Sequence, residues 1–313
     1  RDASLYVDTF SDVLTPPQVS LHRANGTRIK MIEANDVNAT HPLAALKPEL
    51  TAPVYGQLQA NEQTLNYRIF KPHNFDPSKK YPALVYTYGG PSLQVLQRQW
   101  DGRWGMLMQY FAQQGYVVFN LDNRGSSRRG KAFESAIYRQ MGVPDVADQL
   151  SGIRWLGQQS YVDAKRIGVF GWSYGGYMSL HIMAQGGTLL AAGAAGAPVT
   201  DWGLYDTHYT ERYMDLPSLN QKGYEQGTVF AHLPGLTARL LLIHGMADDN
   251  VLFTHSTQLM SKLQASGTPF DLMTYPGMKH GPTDNITRRH VFNGIAQFFQ
   301  RTLKPENMSE NGQ

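Results

Sequence analysis

The chain contains no cysteine. That excludes disulfide bridges, thiolate metal sites and a cysteine nucleophile, and it leaves the redox compartment open. Long apolar runs are also missing: no stretch approaches the roughly 20 residues needed to span a bilayer as a helix. The first ten residues, RDASLYVDTF, carry neither the apolar centre of a secretory leader nor an initiator Met. They alternate as an edge strand would and read as the interior of a longer protein. Charge of one sign is scarce. The formal net charge is +3, and basic residues fall singly or in pairs such as Arg128-Arg129 and Arg288-Arg289, which argues against a nucleic-acid binder. His and carboxylate residues do not cluster at ligand spacings, and no phosphate-cradling glycine motif precedes a helix. Neither a metal nor an organic cofactor is therefore expected.

What is present is a globular composition. The 313 residues are 42% apolar and 17% charged, enough for one large domain or two ordinary ones with a substantial core. Residues 1–50 read as a β-rich segment followed by a linker. QVSLHR and RIKMIE flank Asn25-Gly26, a strong hairpin signal, and HPLAALKPEL suggests a linker or short helix ended by Pro48. A strand pair including LNYRIFKP follows. From Tyr81 short continuous apolar runs alternate with helical stripes: ALVYTY, MLMQYFAQQG, YVVFNLD, DVADQLSGIRWLGQQ, RIGVFG, YMSLHIMAQ, LLAAGAAGAP, LLLIHG and FDLMTYP. This alternation predicts an α/β fold over 51–303, a mostly parallel sheet with helices on both faces. Residues 304–313 read as a polar tail.

Gly171-Trp172-Ser173-Tyr174-Gly175 fits G-x-S-x-G, with a strand before it and a helix after it as that motif requires. A nucleophile at so sharp a turn sits in an unfavourable backbone region, so the flanking residues must lack side chains. A serine hydroxyl also needs a base. Partners in such a fold follow in the order serine, acid, histidine, each just after a strand. Asp248 and Asp249 follow LLLIHG, and His280 follows FDLMTYP. Spacing alone leaves the choice between the two aspartates open. His244 is still inside its strand and reads as a packed or hydrogen-bonded core residue, while His181 sits about two turns into a helix. The oxyanion of a tetrahedral intermediate needs fixed donors. The N–H of Tyr174 is one candidate, and the phenol of Tyr88 in the loop YTYGGPS is another, with core packing the competing role for that ring. Trp172 is assigned only to packing that fixes the turn.

Gly-Trp-Ser-Tyr-Gly-Gly-Tyr (171–177), LLIHGMADDNV (241–251) and Lys279-His280-Gly281 together resemble the prolyl oligopeptidase family of serine peptidases. HYTERYMDLP (208–217) and APVTDWGLYD (197–206) resemble its dipeptidyl peptidase IV branch, particularly the bacterial members. The resemblance covers about residues 60 to 303. It implies an α/β-hydrolase that releases N-terminal dipeptides with Pro, or less well Ala, second. It implies Ser173, Asp248 and His280 as the triad, and Tyr88 as a side-chain oxyanion donor. Asn250 matches a residue bonded to a substrate carbonyl, and Tyr174, Val199, Trp202, Tyr209, Tyr213 and Val251 match the walls of a proline pocket. Glu211 and Arg212, between two of those tyrosines, suggest an ion pair. The family also carries a β-propeller before the hydrolase, which supplies paired acids for the substrate's free amine. This chain contains no two consecutive Glu, so residues 1–50 are expected to be the end of a propeller and its linker. The resemblance further admits a homodimer, and a periplasmic or secreted location for the full-length enzyme. The rival readings are an acylaminoacyl peptidase or esterase on the same fold, and a non-catalytic binding domain.

Overall fold

The structure is a computed structural model and describes residues 3–303; the tail expected at 304–313 lies outside the described residues. Three antiparallel strands open the chain: β1 (Leu5–Phe10), β2 (Gln18–Arg23) and β3 (Arg28–Glu33), in that spatial order. All six residues of β1 are exposed, as suits an edge. The 36–50 stretch is turns ending in a 3-10 turn at Lys47–Glu49. Pro48 sits inside the first positions of that turn rather than ending a helix, because its missing N–H costs nothing there.

The main sheet has eight strands. They are β4 (Val54–Ala60), β5 (Gln63–Phe70), β6 (Tyr81–Tyr86), β7 (Val117–Asp122), β8 (Val162–Trp172), β9 (Ala192–Gly196), β10 (Arg239–Gly245) and β11 (Asp271–Tyr275). Their spatial order is β11-β10-β9-β8-β6-β7-β5-β4. β6 to β11 pair in parallel, while β4 and β5 form an antiparallel margin. The helices are α1 (Gly102–Gln113), α2 (Lys131–Glu134), α3 (Pro144–Gly157), α4 (Tyr174–Gly186), α5 (Thr207–Met214), α6 (Gln221–Gly227), α7 (Thr254–Ala265) and α8 (Asn285–Leu303).

Alternation along the strands explains the layering. Ala83, Val85, Val117, Phe119, Leu240 and Leu242 face one core, shared with Val146 and Leu156 of α3, Leu180 of α4 and Leu259 of α7. Leu84, Val118, Leu241 and Ile243 face the other, shared with Phe111 of α1 and Phe298 and Phe299 of α8. Strands buried on both faces carry no polar alternation, which is why these runs read as continuously apolar.

The close approach that shapes the functional end lies where β8 turns into α4. Ser173 has φ +61° and ψ −120°, a conformation that costs a non-glycine residue of order 1–3 kcal/mol. Its N–H donates to Gly196 O at 2.8 Å, and its carbonyl accepts from the Tyr177 N–H at 3.0 Å. A Cβ at Gly171 would stand 2.4 Å from Gly175 O and 2.5 Å from Thr87 O. The obstacles are backbone atoms, which cannot rotate aside. Gly171→Ala should therefore cost about 3 kcal/mol. The measurement is the urea midpoint at unchanged slope, and a variant as stable as the parent would contradict this account of the turn.

Candidate active site

Three side chains meet above the C-terminal ends of the parallel strands. His280, in the loop after β11, places Nε2 2.8 Å from Ser173 Oγ and Nδ1 2.9 Å from Asp248 Oδ2. A carboxylate only accepts, so Nδ1 carries the proton and Nε2 is left to accept from the serine hydroxyl. Asp248 is buried, whereas Asp249 is largely exposed and pairs with Lys279 at 2.5 Å. The adjacent aspartates thus point in different directions, and it is Asp248 that meets His280.

The Asp248 carboxylate is fully bonded. Its Oδ1 accepts the N–H groups of Asn250 (2.9 Å) and Val251 (3.0 Å), and its Oδ2 meets His244 Nε2 at 3.2 Å as well as His280. Burial by itself would raise this carboxyl. The hydrogen bonds from His244 and His280, then that from the Asn250 N–H, outweigh burial and hold it well below the usual carboxylate range. His244 is accordingly more than core filling. Its Nε2 also faces Val251 O at 2.9 Å, so that nitrogen bears the proton, and Nδ1 lies 2.6 Å from Ser256 Oγ. His181 stays remote and buried; burial first, then the neighbouring His232, lowers it to about 3, leaving it neutral.

Tyr88 lies in the loop after β6, with its ring 6.1 Å from that of Tyr174, and it lines one cleft with Ser173 and His280. Burial raises its phenol, so the hydroxyl remains a donor at neutral pH. Tyr174 is the first residue of α4, and its N–H has no partner within the helix. The cleft measures about 600 Å³, and Trp104, Trp172 and Phe292 wall it together with Tyr86 and Tyr88.

The expected pocket residues form one aromatic run. Ring centroids are 5.6 Å apart for Tyr174–Trp202, 6.0 Å for Trp202–Tyr209 and 4.8 Å for Tyr209–Tyr213. Val199 and Val251 are buried in the same core cluster. Asn250 is exposed, and its side-chain oxygen accepts from Tyr205 Oη at 2.9 Å. Tyr205 itself was not singled out by sequence reasoning. It packs 5.3 Å from Tyr209, but it stands in extended backbone before α5, so helical spacing does not mark it. The ion pair expected of Glu211 and Arg212 does not form among the described residues. They are neighbours on α5, and adjacent helical positions diverge by about 100°. Among the described residues no three His, Asp or Glu side chains gather as metal ligands, and no helix is long and apolar enough to cross a membrane.

The sequence model of the prolyl oligopeptidase family matches residues 104–306. This chain belongs to the prolyl oligopeptidase family. Dipeptidyl peptidase 8 of Mus musculus is 37% identical over 314 residues, covering 97% of the chain and 35% of that protein. The prolyl endopeptidase FAP of Homo sapiens is 36% identical over 279 residues, covering 87% of the chain and 36% of that protein. Among solved structures, dipeptidyl peptidase 4 of Porphyromonas gingivalis superposes with a TM-score of 0.90 at 35% identity, covering 96% of this chain and 42% of that one. The chain thus spans about a third of the length of the curated relatives it matches. Membership makes the fold an α/β-hydrolase and places the chain in the dipeptidyl peptidase IV branch.

One further group in this family member lies behind the aromatic run. The Tyr174 hydroxyl donates to Asp145 Oδ2 at 2.7 Å, and the Gly142 and Val146 N–H groups donate to Oδ1 at 2.9 and 3.0 Å. Asp145 is buried, and burial, only partly offset by those bonds, raises its carboxyl to about 6. Between pH 4 and 6 the folded chain therefore holds a proton that the unfolded chain has released, and stability falls as pH rises through that window. Asp145→Asn removes this titration. Relative to the parent, the variant should gain about 2 kcal/mol on going from pH 4 to pH 7. Urea unfolding at the two pH values checks it, and a pH-independent difference would contradict it.

Proposed function

We propose that this chain is the catalytic part of a serine peptidase that releases N-terminal dipeptides with Pro, or less well Ala, second. The observation that carries the reading is the unbroken chain Asp248–His280–Ser173, at 2.9 and 2.8 Å, beside an aromatic cluster. His280 Nε2 takes the Ser173 proton as Oγ attacks the scissile carbonyl, and Asp248 stabilises the imidazolium that forms. The Tyr174 N–H and the Tyr88 hydroxyl receive the oxyanion. His280 then protonates the leaving amine, and water, deprotonated by the same imidazole, releases the dipeptide from Ser173.

Proline suits this surface because its ring is compact, apolar and without a donor. Tyr174, Val199, Trp202, Tyr209, Tyr213 and Val251 can bury it without leaving a polar group unpaired. Asn250 holds the carbonyl before it. The names of the relatives support the dipeptide rule, and their length supports a propeller elsewhere in the full-length protein as the source of free-amine recognition.

Two measurements test the reading. A fluorophosphonate should label the chain at Ser173, and Ser173→Ala should abolish labelling and lower turnover by roughly 10⁶-fold; persistent labelling would remove Ser173 as nucleophile. Among Gly-Pro-, Ala-Ala-, acyl-Ala- and short-ester chromogens, the full-length protein should turn over Gly-Pro- fastest. Faster acyl or ester turnover would favour the acylaminoacyl peptidase or esterase reading.

A further inference from the structure

The indole of Trp172 makes a contact that packing does not explain. Its Nε1–H donates to the main-chain carbonyl of His280 at 2.6 Å. Among the described residues this is the one hydrogen bond on the main chain of residues 279–281. The neighbouring supports act elsewhere: Met278 O accepts from Ala247, and the Arg288 guanidinium reaches Pro282 O and Thr283 O. Asp248 holds the His280 ring at Nδ1, which sets its tautomer and rotation. It does not set the height of the His280 backbone above Ser173.

Trp172 is itself fixed. It is the last residue of β8 and pairs with Gly196 of β9. Its ring lies so close that a Cβ on Gly196 would fall 2.0 Å from Cε3. The ring of Trp104 closes the other approach at 6.5 Å. The indole therefore extends the rigid sheet edge to the loop that carries the base.

We propose that Trp172 is a positioning residue for the reaction, its indole N–H fixing the His280 backbone so that Nε2 stays in reach of Ser173 Oγ. Three links close a ring: the Trp172–Ser173 peptide bond, the Ser173 Oγ–His280 Nε2 contact at 2.8 Å and the His280 O–Trp172 Nε1 bond at 2.6 Å. Base and nucleophile are both referenced to one dipeptide at the end of one strand. The inference rests on the proposed role of Ser173 as nucleophile.

The test separates the N–H from the ring. Trp172→β-(3-benzothienyl)alanine keeps the bicyclic shape and replaces the N–H by sulfur, whereas Trp172→7-azatryptophan keeps the donor. The loss of one hydrogen bond that acts on base placement should slow fluorophosphonate labelling of Ser173 about ten-fold in the first variant. kcat on the Gly-Pro chromogen should fall by the same factor with KM unchanged, and the azatryptophan variant should behave as the parent. Trp172→Phe, which keeps a ring against Gly196 without the donor, should show the same split if the first variant folds poorly. Parental labelling without the N–H would overturn the proposal, as would a raised KM at unchanged kcat, which would make Trp172 only a wall of the cleft. A parent chain that is not labelled at all would instead refute the nucleophile reading.

Discussion

A serine held at φ +61° costs free energy at that residue, and the surroundings must over-determine it. Here the constraint is backbone against backbone. Gly171, Gly175 and Thr87 leave no volume for a Cβ, and the Ser173 N–H is bonded to Gly196 O on the neighbouring strand. Because β8 lies in the middle of the eight-stranded sheet, relaxing the turn would disturb strands on both sides. The two cores that grip that sheet are what keep Ser173, half-buried, at its C-terminal end.

The electrostatics depend on the same rigidity. Burial by itself raises a carboxyl such as Asp248, yet four donors converge on it from β10, its following loop and the loop after β11 and hold it low. Ionised, it can hold the His280 tautomer and stabilise an imidazolium. Asp145 shows the opposite balance. It is buried with fewer donors, its carboxyl is raised, and it faces the Tyr174 hydroxyl rather than the chemistry. Environment alone separates the two carboxylates.

Local order made much of this visible beforehand. Runs such as LLLIHG and RIGVFG read as strands because burial on both faces leaves no polar alternation, and G-x-S-x-G is legible because the steric demand is met by adjacent residues. The Pro48 turn and the absent Glu211–Arg212 pair were misjudged for a common reason: both readings used sequence adjacency without the direction of the local backbone.

The sequence by itself determined the elements, their mostly parallel arrangement, and a serine, an acid and a histidine each just after a strand, namely β8, β10 and β11. Spacing alone left Asp248 and Asp249 open and the family resemblance implied Asp248; the tertiary structure turns Asp248 to His280 and Asp249 to Lys279, since neighbours along a turn diverge. It also revealed what lies behind the site: His244 on Asp248, Asp145 on Tyr174, and the Trp172 indole on the His280 carbonyl. Each joins positions tens of residues apart or on different elements, except His244 and Asp248, which a strand end brings together. Hydrogen bonds of that kind follow from where whole elements come to rest, and no local pattern encodes them.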